Sequence, residues 1–246
     1  ALNMAIDRQA IIKSYCGGEG VWFTGPVAPI PEYKDFYIAP EDLPASVVEH
    51  LTTYDPERAR KLLAEAGYPN GFKTSIVCWS PQVDWLSIII EYWSKIGVDA
   101  KLDVKEYAVY NTLTTAKKEF AECAAGGAGA VALGTGIAPF LQYTVWPGNV
   151  YNTACVNDPK ITNAINAMSD AYWDYPKKVQ ILKEITPYIV DQAFGVPIPR
   201  GVAYAFWWPW VKHFNGEYDT GYCDYYGFLK YIWLDQDLKE KMTGKR

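Results

Sequence analysis

The sequence has few of the residues on which metal sites and acid–base catalysis most often depend. Only two histidines, His50 and His213, occur among 246 residues, which argues against chemistry built on several histidines. The cysteines form no C-x-x-C pair and show no metal-ligand spacing with histidine, so we expect neither a metal site nor a bound cofactor. Their odd number leaves at least one free thiol and leaves both a disulfide and isolated buried thiols open. The five cysteines are Cys16, Cys78, Cys123, Cys155 and Cys223.

Two further absences exclude classes of protein. The chain has 23 Lys and Arg against 28 Asp and Glu, a net charge of −5, whereas a nucleic-acid-binding protein usually carries a basic face. No stretch approaches the roughly 20 consecutive apolar residues that a membrane-spanning helix needs. We therefore expect neither a nucleic-acid partner nor a membrane span.

Aromatic residues, by contrast, are abundant. The chain has 10 Trp, 19 Tyr and 9 Phe, and half of its residues are hydrophobic while 21% are charged. These proportions are typical of a globular chain, and the length allows one large domain or two small ones. The aromatic content fits a concave surface that holds a small molecule.

The first residues have the apolar spacing of a helix already in progress. Leu2, Ala5, Ile6 and Ala10 fall on one helical face, and no capping residue or signal segment precedes them. A helix without a start suggests a sequence cut from a longer one. The alternative is a mature protein that happens to begin on a helix.

The next part of the chain alternates strands and helices. The clearest helix has Asp55 as N-cap, Pro56 in the first turn and Gly67 after its end. Because strands separated by helices become parallel neighbours with right-handed crossovers, the order predicts an α/β layer architecture. The predicted strands are 72–78, 98–106 and 120–125, and the predicted helices between them are 83–96 and 107–118.

The remaining half predicts two helices and an aromatic tail. One helix begins at Asp158 and Pro159, and the other covers 176–192, where Pro187 predicts a kink or a break. Residues 201–206 are compatible with a strand, and the charged residues 235–246 predict a frayed end.

A glycine-rich segment, 124–138, follows the third predicted strand. Its G-x-G spacing resembles a dinucleotide site, but no helix pattern opens after the third glycine and no acidic residue follows about 20 positions on. Gly126 and Gly127 favour close approach of the backbone to a ligand or close packing against a neighbouring layer, and both interpretations stay open.

Several stretches together resemble the bacterial extracellular solute-binding proteins of family 5, the dipeptide- and oligopeptide-binding proteins of ABC importers. They occur in the family's order over nearly the whole chain, and the most specific is the helix that begins at Asp55. The stretches are ALNMAIDRQAII (1–12), TGPV (24–27), YDPERARKLLAEAGY (54–68), WSKIGV (93–98) and PWVK (209–212).

The resemblance implies one lobe of a two-lobed, type II periplasmic-binding-protein-like fold, with a mixed sheet flanked by helices. It implies a ligand-binding C-terminal lobe over 1–195 and an extended segment over 196–246 that returns toward an absent N-terminal lobe. The implied function is non-catalytic capture of a small solute, peptide-like or oligosaccharide, in the cleft between lobes, followed by delivery to a membrane permease. The implied location is periplasmic, or extracellular and membrane-anchored.

One departure from the family affects the expected ligand. Peptide-binding members carry an aspartate, shortly before a Phe-Leu pair, that forms a salt bridge with the peptide amine. Here Phe140 and Leu141 supply the pair, but 124–138 contains no charged residue. Because a desolvated ammonium without a carboxylate costs several kcal/mol, we expect a neutral or aromatic-stacking solute unless the other lobe supplies an acid.

The predicted ligand-binding residues are Tyr107, Trp79, Trp22, Gly126 and Gly127. Tyr107 opens the helix after the strand 98–106, where the resemblance implies an aromatic residue of the ligand pocket. Trp79 lies just past the strand 72–78, at the carboxyl-end edge where α/β sheets bind ligands. For Trp79 the alternative is a half-buried loop aromatic. Trp22 lies in the Gly- and Pro-rich segment 18–44 and is placed to reach the cleft or the missing lobe. The tryptophans at 207, 208 and 210 are interpreted as packing.

Two other functions are carried as alternatives. The acid pairs Asp99 with Asp103 and Glu119 with Glu122 allow a glycosidase couple, although solvation on a strand's polar face is the ordinary outcome. No Ser or Cys has a recognisable base partner. The second alternative is a degenerate lobe that acts as an interaction or receptor module.

Overall fold

The computed structural model describes residues 1–22, 27, 34–120, 122–125, 152–201, 204–216, 227 and 229–245. In these residues the strands are β1 (Gly20–Trp22), β2 (Phe72–Trp79), β3 (Val98–Lys105), β4 (Cys123–Ala124), β5 (Pro199–Gly201), β6 (Val211–Lys212) and β7 (Trp233–Leu234). The helices are α1 (Arg8–Ser14), α2 (Ala45–Thr52), α3 (Pro56–Glu65), α4 (Val83–Ser94), α5 (Tyr107–Asn111), α6 (Pro159–Asp170), α7 (Tyr175–Asp191) and α8 (Gln236–Thr243).

A parallel three-stranded sheet organises the first part of the chain. Its strand order is β3-β2-β4, and β2 pairs with β3 in register from Phe72 opposite Val98 to Trp79 opposite Lys105. β4 is shorter than predicted and pairs in parallel with the centre of β2. The strand–helix–strand order therefore produces the parallel α/β layer that the sequence predicts.

One face of this sheet forms the main hydrophobic core. Alternate residues of β2 and β3 point to the same face, so the apolar ones meet the buried side of α4, and α1 and α3 add to the layer. Burial of this kind contributes about 25 cal/mol per Å² of apolar surface. The buried members from these elements include Ile76, Cys78, Val98, Ala100, Leu86, Ile89, Trp93, Ala59, Leu63 and Ile11.

Helix α3 follows its sequence signature. The Oδ1 of Asp55 accepts a hydrogen bond from the Arg58 N–H at 2.9 Å, and Pro56 occupies the first helical position. The chain leaves the helix through Gly67, whose φ of +93° is readily adopted by glycine. The prediction for this helix is confirmed.

The prediction for the first residues is wrong. Helix α1 begins at Arg8, and Asp7 caps it by accepting from the Ala10 N–H at 2.9 Å. The apolar spacing at the start of the chain instead belongs to a buried turn, in which Met4, Ala5 and Ile6 are about 1% exposed. The argument from a missing cap therefore fails.

Three other elements differ from their predictions. Helix α7 continues through Pro187, between the buried Ile185 and Ile189, so the break does not occur and the kink stays a prediction. Helix α5 gives way after Asn111 to a π-helix, Thr112–Ala116. Where a strand is expected at 201–206, β5 ends at Gly201 and pairs antiparallel with β1, and the described residues 204–206 form no strand.

The described residues divide into two compact units, one up to Gly201 and one from Tyr204 onward. Strand β5 pairs with β1 inside the first unit, and the boundary between 195 and 196 stays a prediction. That residues 196–246 return toward an N-terminal lobe stays a prediction.

The second unit is a small, aromatic-rich structure. Its strands β6 and β7 pair antiparallel, and Trp208 stacks on the buried Trp210 with ring centroids 4.8 Å apart. Trp207 packs edge-on against Phe214 at 5.0 Å. The charged end is not frayed, because Asp235 caps α8 by accepting from the Leu238 N–H.

A buried guanidinium joins three distant parts of the first unit. Arg8 is 5% exposed, and it donates to the carbonyl oxygens of Asn3 (3.1 Å), Leu51 (2.8 Å) and Pro197 (3.0 Å) and to the Asn3 side-chain oxygen (2.8 Å). Burial lowers the pKa of Arg8 to about 10, so the group is still charged at neutral pH. Its positive charge is balanced by carbonyl dipoles along this set of contacts.

We expect Arg8→Met to lower the free energy of unfolding by about 3 kcal/mol, because it leaves several buried carbonyl oxygens without a donor. The matched control is Arg60→Met, which removes an exposed arginine that also donates to a carbonyl, that of Lys95. The control should change stability by less than about 0.5 kcal/mol. Urea unfolding followed by circular dichroism measures both values, and equal losses would contradict the role given to Arg8.

Two glycines approach each other where β2 and β3 begin. A Cβ on Gly71 would lie 1.8 Å from the Gly97 carbonyl oxygen, and the two residues have φ of +71° and +87°. We expect Gly71→Ala to cost about 3 kcal/mol, the sum of left-handed strain and overpacking. Gly67→Ala is the control, since its φ is also positive but its Cβ meets nothing within 4 Å. The control should cost about 1 kcal/mol. Chemical denaturation measures the free energy of unfolding of both variants, and equal losses would show that the close approach of the two glycines is unimportant.

Candidate functional site

The carboxyl end of the sheet brings together two of the predicted binding residues. Trp79 ends β2, its register partner Lys105 ends β3, and Tyr107 begins α5 two residues later. The ring centroids of Trp79 and Tyr107 lie 4.8 Å apart with an interplanar angle of 56°. We call these two side chains the aromatic pair. Its location is the one that the sequence predicts, while its role in binding stays a prediction.

The position of Tyr107 follows from the start of its helix. The Oε2 of Glu106 accepts hydrogen bonds from the N–H groups of Ala108 (2.9 Å) and Val109 (3.3 Å), so Glu106 caps α5. Tyr107 is consequently the first helical residue, and it is 54% exposed. The cap fixes the backbone of Tyr107 while its ring stays open to solvent.

Trp79 is held by the turn that follows β2. Its backbone N–H donates to the side-chain oxygen of Gln82 at 3.1 Å across a single 3₁₀ turn, Ser80–Gln82. The side chain is half-buried, so one part packs on the protein and the other faces outward. Within the described residues, the Trp79 Nε1 and the Tyr107 Oη have no hydrogen-bond partner. The aromatic pair therefore offers both ring surface and two polar groups that the described part of the chain leaves unpaired.

The acids near the aromatic pair already have partners. Asp103 forms an ion pair with Lys105, with Oδ1 and Nζ 2.8 Å apart, and the Glu106 carboxylate is engaged by the helix start. Both members of the ion pair are partly exposed, which screens its energy. The described edge thus presents a locally balanced charge, with no carboxylate left free for an ammonium group.

The two cysteines of the sheet are held in thiol form by their surroundings. Burial raises the pKa of Cys78, and the charge of Asp103 raises it further. Burial also raises the pKa of Cys123, which the contact of its sulfur with the Thr74 hydroxyl partly offsets. In the described part of the chain Cys16, Cys78, Cys123 and Cys155 are all free.

Trp22 lies in a different environment from the aromatic pair. It packs against the cluster of Leu43, Val47, Leu51 and Val190 and lies 5.9 Å from the Arg8 guanidinium. These contacts account for its position without a ligand, and its predicted binding role stays a prediction. Gly126 and Gly127 lie outside the described residues.

The acidic residues that the glycosidase alternative would use as catalytic pairs form ion pairs or hydrogen bonds with other groups. Asp99 is 3.9 Å from Lys73, Asp103 pairs with Lys105, and Glu119 is 3.9 Å from Lys117. Glu122 accepts from the Ser75 N–H at 3.1 Å. None of these contacts orients two carboxylates toward a shared reaction centre.

Two residues behind the aromatic pair were missed by the sequence reasoning. The Gln82 side chain donates to the Ala125 carbonyl oxygen at 3.1 Å, and the Tyr110 hydroxyl donates to that same oxygen. The signal for Tyr110 was its spacing of three from Tyr107, which places both on one helix face. No sequence signal marked Gln82, whose partner is 43 residues away.

No group of His, Cys, Asp and Glu that could hold a metal ion occurs in the parts of the chain that the structure describes. In the same residues no helix is both long enough and apolar enough to span a bilayer.

A family comparison decides the relationship. The family described as bacterial extracellular solute-binding proteins, family 5, middle region, matches residues 1–135, which is more than half of the chain. The chain belongs to this family. The resemblance inferred from the sequence is therefore confirmed.

Among curated relatives, the heme-binding protein A of Haemophilus influenzae is 29% identical over 239 residues. The match covers 92% of this chain and 40% of that protein. The chain thus spans about two fifths of the length of this relative, and a similar share of the glutathione-binding proteins that also match. These relatives are named as binding proteins.

Two solved structures show the same fold. The periplasmic binding protein DppA of Helicobacter pylori, in complex with the peptide STSA, aligns with a TM-score of 0.66 and 22% identity over 95% of this chain and 43% of its own. The oligopeptide-binding protein of Thermotoga maritima with bound mannohexaose aligns with a TM-score of 0.66 and 18% identity, covering 80% of this chain and 40% of its own. The predicted fold, one lobe of the type II periplasmic-binding architecture, is confirmed.

The raised pKa of Cys78 predicts slow alkylation at this edge of the sheet. Because a raised pKa means less thiolate at a given pH, iodoacetamide at pH 8 should label Cys78 at least about tenfold more slowly than the exposed Cys155. Labelling of Cys78 should increase with rising pH. Asp103→Asn, which removes the neighbouring charge at nearly constant volume, should move this increase to lower pH. Peptide mass spectrometry gives each rate, and equal labelling of Cys78 and Cys155 would contradict the burial.

Proposed function

We propose that this chain is the C-terminal lobe of an extracytoplasmic solute-binding component of an ABC importer, and that it captures solute without catalysing a reaction. Membership of the family supports this proposal, and the position of the aromatic pair at the carboxyl edge of the sheet carries it. Parallel α/β sheets bind ligands at this edge. The proposed partners are a membrane permease and an N-terminal lobe that closes over the solute, with no nucleic-acid partner. The proposed location is the periplasm or the outer surface of the cytoplasmic membrane.

We further propose that the solute is neutral, with an oligosaccharide as the favoured class. An aromatic face contacts the C–H surface of a sugar. The Trp79 Nε1 and the Tyr107 Oη, which have no hydrogen-bond partner among the described residues, are suited to its hydroxyl groups. The two acids at the described edge, Asp103 and Glu106, already serve Lys105 and the start of α5. A peptide ammonium would therefore need a carboxylate from another part of the protein.

The tilt of the aromatic pair also bears on ligand shape. With centroids 4.8 Å apart, the rings contact each other, so a flat ligand has no room between them. A ligand instead lies across the exposed face of Tyr107 and the outer edge of Trp79. This surface fits a puckered sugar ring better than the intercalation of a planar group.

The first test is a thermal-shift screen of the two-lobed protein at neutral pH. The probes are mannohexaose, the peptide STSA and N-acetylated STSA. We expect stabilisation by the oligosaccharide and little change with either peptide. Stabilisation by STSA that acetylation abolishes would mean that an ammonium anchor exists and that the proposed solute class is wrong.

The second part of this test uses variants of the aromatic pair. Trp79→Ala and Tyr107→Ala should each weaken mannohexaose binding about three- to tenfold, because an aromatic contact is worth about 0.5–1.5 kcal/mol. Trp173→Ala is the matched control, since Trp173 is 92% exposed and lies after α6 rather than at the sheet edge. Isothermal titration calorimetry measures the mannohexaose affinity of each variant. Unchanged affinity in all three variants would show that the aromatic pair is not part of the binding site.

A further inference from the structure

One backbone carbonyl lies at the centre of a buried hydrogen-bond group behind the aromatic pair. The Ala125 oxygen accepts from the Gln82 Nε2 at 3.1 Å and from the Tyr110 hydroxyl. The Ala125 N–H donates to the Val77 oxygen at 2.9 Å and extends the pairing of β4 with β2. Gln82, Tyr110 and Ala125 are each less than 9% exposed, so these bonds are shielded from water.

Gln82 connects this carbonyl to Trp79. The two ends of its side-chain amide make different hydrogen bonds. Oε1 accepts from the backbone N–H of Trp79 at 3.1 Å, while Nε2 donates to the carbonyl oxygen of Ala125. A rotated amide would place like groups against each other at both ends, so only one orientation satisfies both contacts. The side chain therefore fixes the backbone of Trp79 relative to β4.

Tyr110 connects the same carbonyl to Tyr107. The two tyrosines are three residues apart in α5, and their ring centroids lie 6.5 Å apart. Helix α5 is capped by Glu106 and has only five residues before the π-helix begins. The bond from the Tyr110 hydroxyl to Ala125 connects this short helix to the end of β4, in addition to the cap that fixes the backbone of Tyr107.

We propose that Gln82 and Tyr110 are positioning residues of the solute site. Through the shared Ala125 carbonyl they set the spacing and tilt of the aromatic pair, and this inference rests on the proposed function for its role in binding. A purely structural role would stabilise the sheet edge without determining the surroundings of Tyr107. The two roles therefore differ in what happens to Tyr107 when one hydroxyl is removed.

The experiment uses fluorotyrosine incorporated at position 107 and ¹⁹F NMR of the chain without ligand, together with mannohexaose affinity of the two-lobed protein. Tyr110→Phe removes one hydroxyl at constant ring volume, and Gln82→Leu removes both amide contacts. Tyr188→Phe is the matched control, because it removes a tyrosine hydroxyl that donates to Asp158 at 2.7 Å. Thermal melts establish that each variant folds.

We expect Tyr110→Phe and Gln82→Leu to shift or broaden the resonance of residue 107 and to weaken binding about three- to tenfold, with Tyr188→Phe changing neither. An unchanged resonance in the folded Tyr110→Phe variant would overturn the positioning role. A changed resonance with unchanged affinity would also overturn it. A changed resonance in a protein that binds none of the probes would support the positioning of the aromatic pair and overturn the proposed solute function instead.

Discussion

The buried guanidinium of Arg8 is the contact on which the arrangement of the first unit depends. It joins the opening turn to the end of α2 and to the segment before β5, through carbonyl groups that lie up to 189 residues away from it in the sequence. Arginine suits this position because its planar fork presents several donors in fixed directions and stays charged when buried. A lysine at the same place would provide one compact charge and would lose part of its protonation to burial.

The same constraint explains how the sheet edge is supported. The opening turn that Arg8 holds also packs into the main core, where Met4 and Ile6 are almost fully buried and the Trp93 indole donates to the Leu2 carbonyl. Helix α4, which carries Trp93, lies on the inner face of β2 and β3. The packing of α4 and the opening turn therefore fixes one face of these strands, while the aromatic pair lies at their carboxyl ends.

Local elements could be predicted where a local physical cause determines them. Asp55, Pro56 and Gly67 each satisfy a requirement of a helix end within a few residues, and the structure has the helix in that place. The alternating residues of β2 and β3 likewise predict strands, and the parallel order places Trp79 and Tyr107 at one edge. The location of the aromatic pair thus follows from periodicity and topology alone.

The remaining features depend on contacts between distant residues, and local patterns do not contain them. The apolar spacing of the first residues is shared by a helix and by a turn buried in a core, and the packing of Met4, Ala5 and Ile6 against distant parts of the chain distinguishes the two. Pro187 stays inside α7 because buried neighbours on both sides stabilise the helix more than the missing hydrogen bond weakens it. Gln82 was missed for a related reason, since its partner Ala125 comes from another strand.

The exposure of the aromatic pair bears on how such a site works. Tyr107 is more than half exposed and Trp79 is partly exposed, so under the proposed function this edge would contact a solute on one side only. A solute held on one side keeps much of its hydration, and the cost of immobilising it is only partly offset. A second lobe that closes over the same edge would remove that water and strengthen the polar contacts in a less polar surrounding. Rigid positioning of the aromatic pair before closure would lower the entropy cost of ordering these side chains when a solute binds. A buried hydrogen-bond group that fixes two exposed rings is therefore consistent with a binding site.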